Sequence, residues 1–391
     1  MINQLAHSPL GASGAERWMN CAGSVALLNA LEMPETDEAD YQIEGTAAHE
    51  AGALALTENL ESWELVGRMF NGVECSEEMA TAVQTYLDVC RCELLACDVN
   101  PLVEHHISAP DFHRNFSGTV DFAFWDDAQD LLHVYDYKHG VGVMVEVEHN
   151  PQIMYYAYGL LRQKPDFHGQ VMLRIVQPRG FHPDGPVRSW LAYADDIRQW
   201  AIDVLKPAMD ATEIDRGLCA GDWCRFCPAK LVCPLMHGLF EAATIHGQHA
   251  QENEHITIDA GRLDREYALI APVKFYIKAL EAEIFRRLQQ GKTFTSAKLV
   301  NQRANRVFKP GAAELFSSKY GDKAFSRPEL LSPAQMALID AHAKELVKEW
   351  AFTPTTGMTV APMSDKRPAI KASSLKETFA GVINDETNHV T

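Results

Sequence analysis

The strongest constraint on the fold is a change in the period of the hydrophobic pattern near residue 100. Residues 102–108 alternate between apolar and polar side chains, and similar runs follow at 118–125 and 131–138. Such runs predict β-strands, and the polar segment between the last two predicts a hairpin loop. Helical periodicity precedes and follows them, so the pattern predicts an α/β fold with a mixed central sheet flanked by helices. Further strands are predicted at residues 171–177 and 187–193, and helices at residues 45–60, 76–97, 151–161, 195–215 and 263–290.

Two carboxylates and a lysine lie on neighbouring predicted strands. The run Gly118-Thr-Val-Asp121 falls on the second strand, and Asp136-Tyr-Lys138 ends the third. Alternation puts Asp136 and Lys138 on the same face of one strand, and the hairpin brings Asp121 alongside them. Two carboxylates so placed would hold a hard divalent cation, with the ammonium group beside it. This chemistry suits phosphodiester hydrolysis.

Residues outside these strands add to the pattern. His49 follows Gly45-Thr-Ala-Ala on a predicted helix, and Gln152 and Tyr156 are four residues apart on another, so they share a face. Glu104, on the first predicted strand, is a further acid. Each of these side chains alone is more often a surface or packing residue, and the prediction depends on their joint order.

In this order, the motifs resemble the RecB-like branch of the PD-(D/E)XK nucleases, over roughly residues 10–237. The resemblance implies a restriction-endonuclease-like core and a site for Mg²⁺ or Mn²⁺. Its implied metal ligands are His49, Asp121, Asp136 and the backbone carbonyl of Tyr137. Its implied catalytic residues are Asp121, Asp136, Lys138, Gln152 and Tyr156, of which the last two contact DNA near the scissile phosphate.

Two positions fit the family pattern less closely. Asp136 stands where many members have glutamate, and its shorter reach implies a slightly different metal geometry. Glu104 has no firm counterpart, and we expect it to act beside the metal ligands rather than among them.

A second motif is cysteine-rich. Cys224-Arg-Phe-Cys227 is followed after five residues by Cys233, and from spacing alone zinc with Cys219 as fourth ligand is a fair interpretation. The resemblance implies instead a 4Fe-4S cluster, because some RecB-like nucleases have one cluster ligand upstream of the nuclease motifs and three downstream. Cys21 is then the upstream ligand, and the cluster forms a clasp between the N-terminal helix and the end of the core. Structural zinc stays the alternative.

The length of 391 residues allows two or three domains. We predict a nuclease core with its cysteine-bound cluster at residues 1–240 and a mainly helical extension at 241–391. The extension has no assigned role, and we expect it to be partly flexible near its end. Within it, residues 291–310 contain five basic and no acidic side chains, which makes it a candidate DNA-contacting region.

Charge and apolar content exclude some classes of protein. There are 35 Lys and Arg against 53 Asp and Glu, for a net charge of −18, which excludes a basic, histone-like binder. No run approaches the roughly 20 apolar residues of a membrane span, and the N-terminus lacks the charge and apolar core of a signal peptide. We therefore expect a cytoplasmic protein, in the host cytoplasm if phage-encoded, since the layout resembles phage-encoded RecB-like exonucleases.

The predicted function is a divalent-metal-dependent DNA nuclease of replication, recombination or repair, and the resemblance alone favours an exonuclease. Its expected partners are single- or double-stranded DNA, with a recombinase or a single-strand-binding protein as the candidate protein partner. Two alternatives stay open: a catalytically silent DNA-binding or assembly protein on the same fold, and an RNA-directed nuclease. The RNA-directed nuclease stays open because a site that contacts metal and phosphate does not distinguish deoxyribose from ribose.

We expect Arg303, Arg306 and Lys309 to line the path of the DNA strand. Replacing all three by alanine should weaken DNA binding and flatten its dependence on salt, because fewer counterions are released from the phosphates. Titrations of labelled DNA at several salt concentrations measure both effects. Unchanged affinity together with an unchanged salt slope would reject this role.

Overall fold

The structure is a computed structural model that describes residues 8–31, 40–95, 97, 99–214, 217–250 and 259–298. The chain divides into two units, Met1–Ala297 and Lys298–Thr391, and the elements below belong to the first. The division predicted at residue 240 stays a prediction. Arg303, Arg306 and Lys309 lie outside the described residues.

A mixed five-stranded sheet forms the centre of the first unit. A small hairpin of β1 (Met69–Phe70) and β2 (Val73–Glu74) precedes it. The strands of the sheet are β3 (Leu102–Ser108), β4 (Ser117–Asp126), β5 (Leu131–Tyr137), β6 (Gln170–Val176) and β7 (Val187–Tyr193). They lie side by side in sequence order, with β5 and β6 parallel and the other neighbours antiparallel. The predicted α/β fold with a mixed sheet flanked by helices is thereby confirmed.

Helices account for most of the remaining described residues, and none of these helices is long and apolar enough to cross a membrane. In chain order they are α1 (Ala15–Asn20), α2 (Gly23–Ala30), α3 (Asp40–Glu58), α4 (Glu77–Leu94), α5 (Pro151–Gln163), α6 (Ala194–Trp200), α7 (Lys206–Ala211), α8 (Pro234–Ala250), α9 (Ala260–Ala268) and α10 (Ile270–Gln289). A π-helical turn at Ala201–Leu205 joins α6 to α7, and short 3₁₀ helices lie at Ala12–Gly14, Ser62–Leu65 and Asp222–Phe226.

The two faces of the sheet are covered by different helices. Leu132 and Val134 of β5 pack in the core that includes α5, whereas Tyr135 and Tyr137 pack in the core with α3 and α4. A strand buried on both faces has a nearly continuous apolar sequence, which is the pattern of β5. By alternation, Asp136 shares the α5 face, so the last buried polar residue of the strand lies beneath that helix.

The helix predicted over 263–290 is interrupted in the structure, so the prediction of one continuous helix was wrong. The first helix ends at Ala268, and α10 begins after Leu269. Pro272 explains the break, because proline lacks the N–H of an internal helical residue and its ring clashes with the carbonyl four residues earlier, that of Ala268. Proline is tolerated in the first turn of the new helix.

Helices that follow the sheet enclose the cysteine-rich motif. Cys224 and Cys233 lie in a small apolar core with Met236 of α8 and Tyr276 of α10. The Tyr276 ring lies 5.4 Å from that of Phe240. Residues beyond 240 therefore complete the apolar surroundings of the cysteines.

Candidate functional site

Three potential metal ligands meet beside the sheet. His49 on α3, Glu104 on β3 and Asp121 on β4 have ligand atoms that all lie within 4.8 Å of one another. His49 Nδ1 is 3.6 Å from Asp121 Oδ1 and 3.9 Å from Glu104 Oε1. Among the described residues, this is the one group of histidine, cysteine or acidic side chains close enough to hold a single metal ion.

Small side chains allow the helix that carries His49 to approach its neighbours. Its buried positions are Ala47, Ala48, Ala51 and Ala55. At Gly52, an added Cβ would lie 3.3 Å from the ring of Tyr86 on α4, so glycine permits this close approach. Tyr86 stacks on Tyr137 of β5, with 4.8 Å between ring centroids, and His49 meets Tyr137 edge-on at 5.3 Å. Aromatic packing thus fixes the imidazole next to the strands.

Glu104 has an unusual backbone conformation. Its φ is +46°, a left-handed value that a non-glycine residue adopts at a cost of about 1–3 kcal/mol. The pairs Val103–Phe122 and His105–Val120 lie on either side of Glu104 and Asp121, so the strand register brings these two residues next to each other. We expected Glu104 beside the metal ligands, whereas the structure places its carboxylate within the candidate group. The role of Glu104 as a ligand stays a prediction.

Asp121 is held by a backbone donor. Its Oδ2 accepts a hydrogen bond from the N–H of Tyr137 at 2.7 Å, across the β4–β5 pair. The remaining oxygen, Oδ1, faces His49. The sequence predicted this carboxylate correctly on its strand, and the bond from Tyr137 fixes its orientation. The predicted role of the Tyr137 carbonyl as a metal ligand stays a prediction.

Asp136, Lys138, Gln152 and Tyr156 form one hydrogen-bonded group. Lys138 Nζ lies 2.9 Å from Asp136 Oδ2 and donates to Gln152 Oε1 at 2.8 Å. The Gln152 amide donates to Asp136 Oδ1 at 2.9 Å and to the Tyr156 hydroxyl at 3.1 Å. The structure therefore brings together the Asp136–Lys138 motif at the strand end and the Gln152–Tyr156 motif of the helix. It holds Asp136 in this group and leaves the role of Asp136 as a metal ligand a prediction.

The start of α5 explains why Gln152 points at the strand end. Asn150 caps the helix by accepting hydrogen bonds from the N–H groups of Gln152 and Ile153. Pro151 is the first helical residue, where its fixed φ suits the turn. With the cap in place, Gln152 lies in the first turn, directly beside Lys138.

The site concentrates charge in a poorly solvated place. Burial raises the pKa of Asp121, against the effect of His49. Burial also raises the pKa of Asp136, to about 6, although Lys138 opposes it. For His49, burial alone lowers the pKa, but Asp121 and Glu104 outweigh it and raise that pKa to about 9. A proton on His49 and the ammonium of Lys138 thus offset the charge of the carboxylates.

The side chains present fit a divalent cation. Two carboxylates supply the hard oxygen ligands that Mg²⁺ and Mn²⁺ prefer, and imidazole is a common additional ligand. A bound cation would take over the role of the His49 proton in offsetting the charge of the acids. Asp136 and Lys138 would lie beside it.

The predicted cluster ligands line one cavity. Cys21, Cys224, Cys227 and Cys233 are all buried around it. Cys219 also lines the cavity but is exposed, and its backbone N–H donates to Cys21 Sγ at 3.3 Å. The structure thus brings Cys21 to the downstream cysteines across about two hundred residues of chain. All nine cysteines of the chain are free of disulfides in the structure.

The cysteine cavity also contains two cations. Arg17 and Lys230 line it, and the Arg17 guanidinium donates to Ser24 Oγ at 2.7 Å. Burial lowers the pKa of both side chains, while the neighbouring cysteines act in the opposite direction. Half-buried cations of this kind suit a group that carries negative charge.

Comparison with known proteins assigns this chain to a family. The sequence matches one family over residues 7–368, which is nearly its whole length. The chain belongs to the DUF2800 family. DUF2800 is described as a protein of unknown function, so membership identifies relatives without assigning a reaction.

A solved structure is distantly similar to this DUF2800 chain. It is titled "Crystal structure of SSO0001", and the match has 11% sequence identity over 56% of this chain and 96% of that chain. The TM-score is 0.20, and no conclusion about fold or function rests on so low a value.

Metal binding should release a proton from His49. Because the pKa of His49 is about 9 in the metal-free protein, a metal ion must displace its proton below that pH. The apparent Mn²⁺ affinity should therefore rise about tenfold per pH unit between roughly pH 7 and 8.5. Anaerobic calorimetric titrations across this range measure it, and His49→Gln should bind more weakly with a flatter profile. A wild-type affinity that does not change with pH would contradict the protonated state of His49.

Proposed function

We propose that this DUF2800 protein is a divalent-metal-dependent nuclease, and that it hydrolyses phosphodiester bonds in DNA. One observation carries the proposal. The His49–Glu104–Asp121 group adjoins a hydrogen-bonded lysine, Lys138, which directly follows the neighbouring strand β5. Negative charge develops on the phosphate during hydrolysis of a phosphodiester. A metal ion and a fixed cation placed side by side can stabilise that charge.

The metal ligands proposed are His49, Glu104 and Asp121, with Asp136 as the adjoining acid. When bound there, Mg²⁺ or Mn²⁺ would lower the pKa of a water molecule and offset charge on the phosphate oxygens. The chain itself sets the orientation of the ligands. The Tyr137 N–H fixes Asp121, and the left-handed backbone at Glu104 directs that carboxylate toward the imidazole.

Lys138 is the proposed catalytic cation. Its ammonium is held between the Asp136 carboxylate and the Gln152 amide oxygen, and about a quarter of the side chain is exposed. It can therefore donate to a phosphate oxygen or orient the attacking water without a large rearrangement. Gln152 and Tyr156 lie at the same place and would contact the strand next to the scissile bond.

The finer parts of the proposal rest on the RecB-like PD-(D/E)XK resemblance of the motifs. These are the restriction-endonuclease-like identity of the core, the preference for DNA over RNA and the preference for ends. A role in replication, recombination or repair, with a recombinase or single-strand-binding protein as partner, has the same basis. The site geometry supports hydrolysis of a phosphodiester but does not distinguish deoxyribose from ribose.

End-labelled linear DNA tests the proposed reaction. Full-length protein with Mn²⁺ or Mg²⁺ should degrade it, and Lys138→Ala should slow the reaction by about 10²–10³-fold, as expected for loss of one preorganised charge donor. Asp121→Ala should abolish it. Lys164→Ala is the matched control, because Lys164 pairs with Asp127 at the far end of α5. We expect it to leave the rate unchanged.

Circular DNA and matched RNA complete the experiment. Degradation of linear but not circular DNA would support an exonuclease, and cleavage of RNA in preference to DNA would favour the RNA-directed alternative. Folded protein that binds DNA and metal but cleaves nothing would reject the proposed reaction and favour a DNA-binding or assembly protein.

We propose further that Cys21, Cys224, Cys227 and Cys233 bind a 4Fe-4S cluster. These four cysteines line one cavity together with the cations Arg17 and Lys230. Thiolate-only ligands and neighbouring cations suit an anionic iron–sulfur cluster. The order of one upstream and three downstream cysteines, which the RecB-like resemblance implies for such a cluster, favours it over zinc.

Two cysteine variants separate the cluster from the zinc alternative. Anaerobically purified wild-type protein should be brown, with the broad visible absorption of thiolate-to-iron charge transfer. Cys21→Ser should lose most of the iron and the colour, whereas Cys219→Ser should keep both, because Cys219 is exposed and supplies only a backbone N–H. Colourless wild-type protein with stoichiometric zinc would contradict the proposal.

A further inference from the structure

Arg179 links three elements around the candidate metal centre. Its Nη1 donates to Glu44 Oε1 at 2.8 Å, and its Nη2 donates to Glu78 Oε1 at 2.9 Å. Nη1 also lies 2.7 Å from Nε2 of His139. The side chain is only 17% exposed, so these are partly desolvated, charge-assisted hydrogen bonds of the stronger kind.

The partners of Arg179 belong to the elements that build the site. Glu44 lies five residues before His49 on α3, and Glu78 lies in the first turn of α4. His139 directly follows Lys138, and its Nδ1 is 2.8 Å from the Tyr137 hydroxyl. One guanidinium therefore ties the helix that carries His49 to the strand end that carries the catalytic residues.

The direction of the hydrogen bonds from Arg179 to Tyr137 follows from the arginine, whose 2.7 Å contact with His139 Nε2 is much shorter than the 3.4 Å contact between that atom and Glu44 Oε1. A guanidinium can only donate, so Nε2 of His139 must accept. The ring proton of neutral His139 is then on Nδ1, which donates to the Tyr137 hydroxyl oxygen. The chain of contacts from Arg179 to Tyr137 thus has one polarity. It ends on the residue whose backbone N–H holds Asp121.

The fully buried positions of α3 are small residues, with partly buried Leu54 and Leu56 beside them. Small side chains interlock less with their neighbours than larger ones do, so a polar contact adds to the packing that holds this helix. A shift of this helix would move the imidazole of His49 relative to Asp121. The contact between Arg179 and Glu44 opposes that shift within about one and a half turns of His49.

We propose that Arg179 is a positioning residue for the metal centre, which it preorganises by fixing α3 against the end of β5. The inference rests on the proposed function, since it assigns Arg179 to the metal site of that function. Arg179 contacts no predicted metal ligand side chain itself. It acts through Glu44 on one side and through His139 and Tyr137 on the other.

Mn²⁺ binding to the full-length, cluster-loaded protein tests the inference, with free Mn²⁺ followed by electron paramagnetic resonance. Arg179→Ala should weaken Mn²⁺ binding about 10–100-fold, the range found when partners that orient metal ligands are removed. Arg179→Lys keeps one charge but not the fork of donors, and it should recover part of the affinity. Asp121→Asn should lose Mn²⁺ binding and serves as the reference for the site.

Arg91→Ala is the matched structural control. Arg91 also joins α4 to the segment at the end of α3, through Glu61 and the carbonyls of Ala55 and Leu60. It lies at the opposite end of α3 from Glu44. Its loss should lower the melting temperature at least as much as loss of Arg179, while Mn²⁺ affinity stays within about twofold of wild type, since it orients no metal ligand.

Each outcome decides a different point. Wild-type Mn²⁺ affinity in Arg179→Ala, or equal weakening in Arg91→Ala, would overturn the positioning role while leaving the proposed function intact. Failure of the wild-type protein to bind Mn²⁺ in a manner that depends on Asp121 would overturn the proposed function and this inference together.

Discussion

The fold brings three carboxylates, Glu104, Asp121 and Asp136, together at one end of the sheet, and the rest of the site compensates for their mutual repulsion. Strand pairing enforces the approach, because the Val103–Phe122 and His105–Val120 pairs bracket Glu104 and Asp121, and Asp136 follows on β5. Burial makes the repulsion stronger than it would be in water.

Three groups reduce this repulsion: the imidazole of His49, whose pKa is raised, the ammonium of Lys138, which forms a salt bridge, and the backbone N–H of Tyr137. A divalent cation would reduce it more completely, which is why these residues form a candidate metal centre.

The N-terminal segment connects the two chemically distinctive parts of the molecule. Cys21 ends α1 at the cysteine cavity, and the preceding residues pack against α5, which carries Gln152 and Tyr156. Within this segment Trp18 is fully buried and its indole N–H donates to the carbonyl of Gly11. A cluster bound at Cys21 would therefore fix the same segment that packs against α5. In the proposed arrangement the cluster would stabilise the surroundings of the active site without taking part in the reaction.

Much of the fold was predictable because period and turn signals were strong. The sequence placed β3 and β7 at their observed bounds and β4, β5 and β6 within a residue or two, because alternation and polar loops marked them. It also supplied Asp136, Lys138, Gln152 and Tyr156, whose spacing is local.

The position of Glu104 within the candidate group was not predicted, because it depends on strand register and on a left-handed backbone that no local pattern indicates. Arg179 was missed for a similar reason, since its three partners are 40 to 135 residues away in sequence. Spacing predicts contacts within an element or a hairpin, whereas contacts between distant elements require the folded chain.

The central claim is that His49, Glu104 and Asp121 bind one divalent cation next to Lys138. Anomalous diffraction at the manganese edge, from crystals of the full-length protein grown with Mn²⁺, tests it most directly. We expect an anomalous peak in contact with all three side chains, with the Lys138 ammonium beside it. A manganese-containing crystal with no peak at this group, or with the peak held by other residues, would contradict the claim.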